Sequence, residues 1–213
     1  MTKGESVLKD VQSKNIKGTV SLVQIDYTED FSITEAAKKI KADFGRLDVL
    51  INNAGICPEE SANEWPTRDQ LRATFETNVF GPTVLTGALV PLLKASKAPK
   101  IINVSSSLAS ISMISNHSDP QSAVRYPAYR MTKSALNMLT AYQYYQLKEF
   151  GFKVWSYCPG YVVTDLGRDR ETRIEQNIDS SETSAQGIVE ILEGKRDGEV
   201  GKFVARFGQA YEW

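Results

Sequence analysis

Along the chain, short β-branched runs alternate with longer stretches whose apolar positions recur at three- and four-residue steps. That alternation of periods is the signature of strands followed by helices. The runs Val20 to Ile25, Val49 to Ile51, Lys100 to Val104, Val154 to Tyr157 and Lys202 to Ala205 are short and apolar, as strands covered on both faces should be. The pattern predicts a single-domain α/β fold, a doubly wound and mostly parallel sheet with helices on its faces.

Helix starts are readable between the strands. Ser32 with Glu35, and Thr67 with Gln70, have the capping-box spacing, which predicts helix entries near Ile33 and Arg68. From Tyr126 to Phe150, Met131, Ala135, Met138, Tyr142 and Tyr145 form one apolar stripe, and Leu136, Leu139 and Leu147 form another. A helix apolar on two faces is expected to be buried twice, by its own sheet and by a second partner. A further helix runs from about Ser181 to Glu193 and is ended by Gly194. Ser107 to Arg125 and Asp165 to Asp179 read as long irregular stretches, and ordered loops of that length serve as lids or binding walls.

Composition narrows the function classes. A chain of 213 residues suits one domain with a sizeable core. Its 25 basic and 26 acidic side chains give a net charge of -1, and no basic run interleaves with aromatics, which argues against a nucleic-acid partner. No apolar stretch approaches the roughly 20 residues needed to span a bilayer, and the start, Met1-Thr2-Lys3-Gly4-Glu5, is unlike a secretory signal, so the expected location is the cytoplasm. Cys57 and Cys158 lack disulfide or zinc-site spacing and read as reduced thiols. With His117 the sole histidine, and that in a loop, no metal centre is expected.

Candidate chemistry lies on the doubly apolar helix. Tyr129 and Lys133 are one turn apart on one face, so a phenol and an ammonium can address the same point. A nearby cation favours phenolate and lowers a pKa that is ordinarily about 10. By itself this spacing is weak evidence, but three strand ends accompany it: Asn52-Asn53-Ala54-Gly55, Asn103-Val104-Ser105-Ser106, and Cys158-Pro159-Gly160-Tyr161-Val162-Val163-Thr164. In a parallel sheet such ends converge on one crevice. Taken singly, Asn52 and Asn53 also suit a strand cap, Asn78 a helix kink beside Gly81 and Pro82, and Thr164 a helix N-cap.

In this order, from about Glu5 to the end, these motifs resemble the short-chain dehydrogenase/reductase family, with a Rossmann-like fold. The resemblance implies that Tyr129 is the general acid/base, that Ser106 binds the substrate oxygen, that Lys133 lowers the tyrosine pKa and anchors the nicotinamide ribose, and that Asn78 holds a water in a proton relay. It likewise implies that Asp26 contacts adenine and that Asn53, Ala54, Gly55, Pro159, Gly160, Val162 and Thr164 line an NADP or NAD cofactor. It implies a small-molecule substrate and a homodimer or larger homo-oligomer.

One departure stands out. The family opens with a strand, a Gly-x-x-x-Gly-x-Gly turn and a second strand, whereas before Asn52 this sequence has only Gly4, Gly18 and Gly45, which do not make the motif. Residues 1–213 are therefore expected to form a truncated domain of this kind, with weak or no dinucleotide binding, because the turn supplies the pyrophosphate site. The Val20 strand then either pairs with the Val49 strand or leaves a gap that a second chain covers. Three readings follow: a nicotinamide-dependent reductase or dehydrogenase, a cofactor-independent acid/base enzyme, and a non-catalytic partner of a longer homologue. The apolar loop residues Ile111, Met113, Ile114 and Val124, with Tyr161, Leu166 and Trp155 nearby in sequence, point to an apolar substrate, aromatic or polyketide-like.

Overall fold

The computed structural model describes residues 2–58, 65–167 and 170–213. In chain order the elements are α1 (Lys3–Ser13), α2 (Asp30–Phe44), β1 (Val49–Asn52), α3 (Arg68–Phe75), α4 (Gly81–Leu93), β2 (Lys100–Val104), α5 (Ile111–Ser115), α6 (Pro127–Leu147), β3 (Lys153–Cys158), α7 (Arg170–Glu175), α8 (Ser181–Leu192), β4 (Phe203–Ala205) and β5 (Ala210–Tyr211). Among the described residues the strands form one sheet in the order β1-β2-β3-β4-β5, parallel from β1 to β4, with β5 antiparallel at the edge.

The strand periodicity sorts the core onto two faces. Leu50, Ile101 and Val154 meet α2 and α4 through Ile33, Leu85, Leu89 and Leu93. Ile102, Trp155, Tyr157 and Val204 turn the other way onto Ile191 of α8. This is the doubly wound α/β architecture expected from the pattern. In β2 and β3 every residue after the first lysine is buried, but in β1 Ile51 is 37% exposed, because among the described residues β1 has a neighbour on one side only.

Four expectations are corrected. Residues 20–25 make no strand, neither against β1 nor against any other described segment. The run is not evenly buried either: Ile25, with Tyr27 just beyond, packs on the core around Ile33 and Leu85, while Leu22 is 44% exposed, and a strand needs a ladder partner as well as a buried face. Ser32 does not cap α2, which begins two residues earlier, at Asp30. Its hydroxyl instead accepts the backbone N–H of Asp26 at 2.8 Å. The stretches 107–125 and 165–179 are not irregular, since they hold α5, two 3-10 turns and α7, although residues 168–169 lie outside the described set. Finally, β5 was not foreseen, since two residues carry no period.

The Thr67 and Gln70 capping box forms as the spacing predicts, with the Thr67 hydroxyl accepting from Gln70 N–H and the Gln70 side chain accepting from Thr67 N–H. Gly194 follows α8 in the left-handed region, φ 81°, where a side chain would be strained.

Candidate active site

Tyr126 adopts a left-handed backbone, φ 73°, and Pro127 then opens α6 with its φ already helical. This entry sets Tyr129 and Lys133 over the C-terminal ends of β2 and β3, both buried. Lys133 Nζ donates to the Val104 carbonyl at 2.8 Å and lies 5.5 Å from the centroid of the Tyr129 ring. The Ser105 hydroxyl donates to the Lys133 carbonyl at 3.4 Å, and the Ser106 hydroxyl accepts the Leu108 N–H at 3.3 Å while acting to lower the pKa of the Tyr129 phenol.

Between α3 and α4 the helix widens into a π turn, Glu76–Phe80, whose buried residue is Asn78. Such bulges frequently mark functional sites. Asn78 Oδ1 accepts the Ile56 N–H at 2.8 Å, while Nδ2 donates to the Ile56 carbonyl at 2.9 Å and to Thr132 Oγ1 at 3.0 Å. Thr132 in turn donates to the Tyr129 carbonyl at 2.8 Å. Asn78 therefore braces the turn after β1 against α6. Both its amide hydrogens are used by the protein, so only the second lone pair of Oδ1 is left for a water. A Cβ on Gly55 would stand 3.2 Å from Asn78 Oδ1 and 3.4 Å from Lys133 Nζ, so glycine keeps this corner open.

Electrostatics here are governed by burial. Desolvation pushes the Tyr129 phenol well above its ordinary range; the neighbouring thiols of Cys57 and Cys158 add to the rise, and the Ser106 hydroxyl and the Arg173 cation oppose it. This is opposite to the depression expected beside Lys133. The ammonium itself is held down to about 8, again by burial, with the two thiols opposing. Burial likewise raises Cys158, although its sulfur accepts N–H bonds from Ser107 at 3.0 Å and Gly160 at 3.4 Å.

The loop after β3 closes the other side. Gly160 takes φ +77°, and Arg206 Nε lies 2.4 Å from where a Cβ would be, so Pro159-Gly160 turns beneath this arginine. Val162 is buried, and its carbonyl and the Thr164 hydroxyl both accept from Arg173. A separate cleft of about 310 Å³ is lined by residues 24–28, Ala54 and Thr77. Asp26 there is exposed and held below the usual carboxylate range by two hydrogen bonds from Thr28. Asn53 and Ala54 are exposed just past β1. The structure thus gathers Ser106, Tyr129, Lys133, Asn78 and Gly55 into one centre, sets Asp26 and Ala54 on the cleft, and places Val162 and Thr164 under Arg173.

Sequence reading missed Arg173 and the polar layer under the site. Asn52 donates to Asn103 at 2.8 Å, Asn103 to Thr140 and Gln143 of α6 at 2.9 and 2.8 Å, and Ser156 to Asn137 at 2.6 Å. The signal was present in the run Lys133, Asn137, Thr140, Gln143, a polar stripe at helical spacing on the same buried face as Leu136 and Leu147.

The sequence profile of the family described as short chain dehydrogenase matches residues 2–175. The chain belongs to the short-chain dehydrogenase family. A short-chain dehydrogenase/reductase of Talaromyces stipitatus, tropE, is 32% identical over 203 residues, covering 90% of this chain and 76% of the relative. A short-chain dehydrogenase of Penicillium roqueforti, anuI, is 38% identical over 191 residues, covering 88% and 73%. Among solved structures, an NADPH-bound carbonyl reductase from chicken fatty liver superposes with a TM-score of 0.85 at 27% identity, covering all of this chain and 84% of that one. As a member of this family the chain is of the oxidoreductase kind. Among the described residues no helix is long and apolar enough to cross a membrane, and no cluster of three or more His, Cys, Asp or Glu side chains stands ready for a metal.

A nicotinamide cofactor, which the family implies, fits these residues at two points. The corner beside Gly55, Asn78 and Lys133 is kept free of side chain, and the cleft beyond it ends at Asp26. Between these points the fit is poor in charge, because among the described residues those lining the cleft include no Lys or Arg and do include one carboxylate.

Proposed function

We propose that the chain reduces a carbonyl compound or oxidises a secondary alcohol, with Tyr129 as the proton donor or acceptor. The observation that carries this reading is the buried Tyr129 with the buried Lys133 ammonium 5.5 Å from its ring, and with Ser106 near enough to lower the phenol pKa. In the reductive direction the Tyr129 phenol gives its proton to the substrate oxygen, which Ser106 orients by a hydrogen bond. The phenolate left behind stands against the buried Lys133 ammonium, whose charge stabilises it. A bound NADPH or NADH supplies the hydride. Lys133 and the Gly55 corner would hold its ribose, Val162 and Thr164 its nicotinamide end, and Asp26 its adenine. Asn78 acts as the brace that fixes Tyr129 through Thr132.

The cation-free cleft supports weak dinucleotide binding, because two pyrophosphate charges gain little from the side chains lining it. Low-micromolar affinity for NADPH or NADH in a calorimetric titration contradicts that part. The same observation favours, as the second reading, proton transfer without a cofactor by the same tyrosine. The test incubates the purified chain with aromatic and alicyclic ketones, with and without NADPH or NADH. Nicotinamide-dependent alcohol formation that is lost in Tyr129→Phe supports the oxidoreductase. Proton exchange next to the carbonyl without nicotinamide supports the second reading, and no turnover in either arm defeats both. The exposed apolar stripe of α6, with Met138 70% and Tyr145 68% exposed, supports a homo-oligomer.

A further inference from the structure

Two arginines strap the loop that follows β3, and one of them, Arg173 of α7, bears on the proton chemistry proposed for Tyr129 through its charge, which lowers the phenol pKa. Its guanidinium is buried. Nη1 donates to the Val162 carbonyl at 2.9 Å and to Thr164 Oγ1 at 3.0 Å, and Nη2 donates to the Leu166 carbonyl at 2.7 Å. The Tyr161 ring covers the group, 4.5 Å from Cζ to the ring centroid. A planar fork engaging three acceptors within five residues fixes their spacing in a way that no flexible ammonium can. A second tie reaches the same stretch: the Val163 N–H donates to the Asp179 carbonyl at 2.9 Å, and the Asp179 carboxylate pairs with Arg206 at 2.8 Å. Arg173 in turn engages the Val162, Thr164 and Leu166 oxygens.

Two of its acceptors belong to the positions that the family resemblance sets against the dinucleotide. A nicotinamide carboxamide carries an NH2 group that seeks carbonyl or hydroxyl oxygens, and a guanidinium makes stronger, charge-assisted bonds to the same oxygens. We propose that Arg173 is a latch, which holds the 162–166 loop closed and occupies the Val162 carbonyl and the Thr164 hydroxyl, so that a nicotinamide gains those acceptors only when the arginine releases them. The ligand in this inference rests on the oxidoreductase reading; the closure of the loop is a property of the chain itself.

Amide hydrogen exchange on the ligand-free protein tests the closure. In Arg173→Met, amides of residues 161–167 should exchange about 10-fold faster or more, as expected for losing bonds to a charged donor, while peptides from α6 and β3 stay protected. Arg173→Lys keeps the charge without the fork and should fall between. Equal exchange in the parent and in the methionine variant overturns the latch. The competition is tested by comparing NADPH with 2′-phospho-ADP-ribose, which lacks the nicotinamide. Release of the latch should raise the ratio of the two affinities about 10-fold in Arg173→Met. An unchanged or reduced ratio overturns the competition. Failure of both ligands to bind either protein defeats the oxidoreductase reading and the competition with it, whereas the exchange result stands or falls alone.

Discussion

Replacing Lys133 by methionine should stabilise the protein at neutral pH, and the gain should disappear in alkali. The amine is buried, and burial brings its pKa from 10.5 down to about 8. At about 1.4 kcal/mol per pH unit, that difference corresponds to about 3 kcal/mol of stability lacking wherever the folded chain must carry the charge. The sign follows from proton uptake. Between about pH 8 and 10.5 the unfolded chain keeps the proton and the folded chain sheds it, so stability rises with pH through that window, and below about pH 8 the whole penalty is present. Methionine keeps most of the stem volume and removes the charge, but it leaves the Val104 carbonyl without its 2.8 Å donor, at a cost of about 1 kcal/mol. The net expectation is a gain of about 2 kcal/mol near pH 7 that turns into a small loss above about pH 10. Urea unfolding of both proteins, followed by circular dichroism at about pH 7, 8.5 and 10, measures this directly. A difference between the two proteins that stays constant across that range refutes the account, since an undepressed amine titrates alike in folded and unfolded chains. A charge retained at such a cost is what a functional site, rather than a packing site, requires.

The remaining predictions concern single contacts. Tyr129→Phe removes only the hydroxyl, so any carbonyl-reducing activity should fall roughly 10²–10⁴-fold with the melting temperature unchanged, and Ser106→Ala should cost roughly 10²–10³-fold; steady-state rates under saturating cofactor check both. Gly187→Ala would set a Cβ 2.3 Å from the Tyr157 hydroxyl, which donates to the Ser184 carbonyl at 2.7 Å, so the buried ring must move. A loss of roughly 1–3 kcal/mol is expected from calorimetry, and an unchanged melting temperature contradicts the packing described. Met138→Lys combined with Tyr145→Lys should convert an oligomer to monomers in sedimentation without loss of secondary structure, and a wild-type monomer at micromolar concentration contradicts the assembly.

What the sequence determined by itself lay within local period and spacing, although the Ser32 and Glu35 spacing, of the same local kind, made no cap. The alternation of strand and helix patterns, the Thr67 capping box, the stop at Gly194 and the four-residue step from Tyr129 to Lys133 are all decided within one or two turns of chain, and each appears in the structure as its spacing implies. What only the tertiary structure decided were relations between distant segments. Residues 20–25 have the apolar pattern of a strand, yet whether they become one depends on a ladder partner that no local rule supplies. Tyr129 and Lys133 were expected to be coupled by charge, but the number of apolar atoms that fold around them settles the direction of both pKa shifts. Arg173 reads in the sequence as one more charge in a loop. Its burial on Val162, Thr164 and Leu166 follows from how α7 docks against the loop after β3. Hydrophobic period is a property of neighbours in sequence, whereas desolvation and hydrogen-bond partnership are properties of neighbours in space.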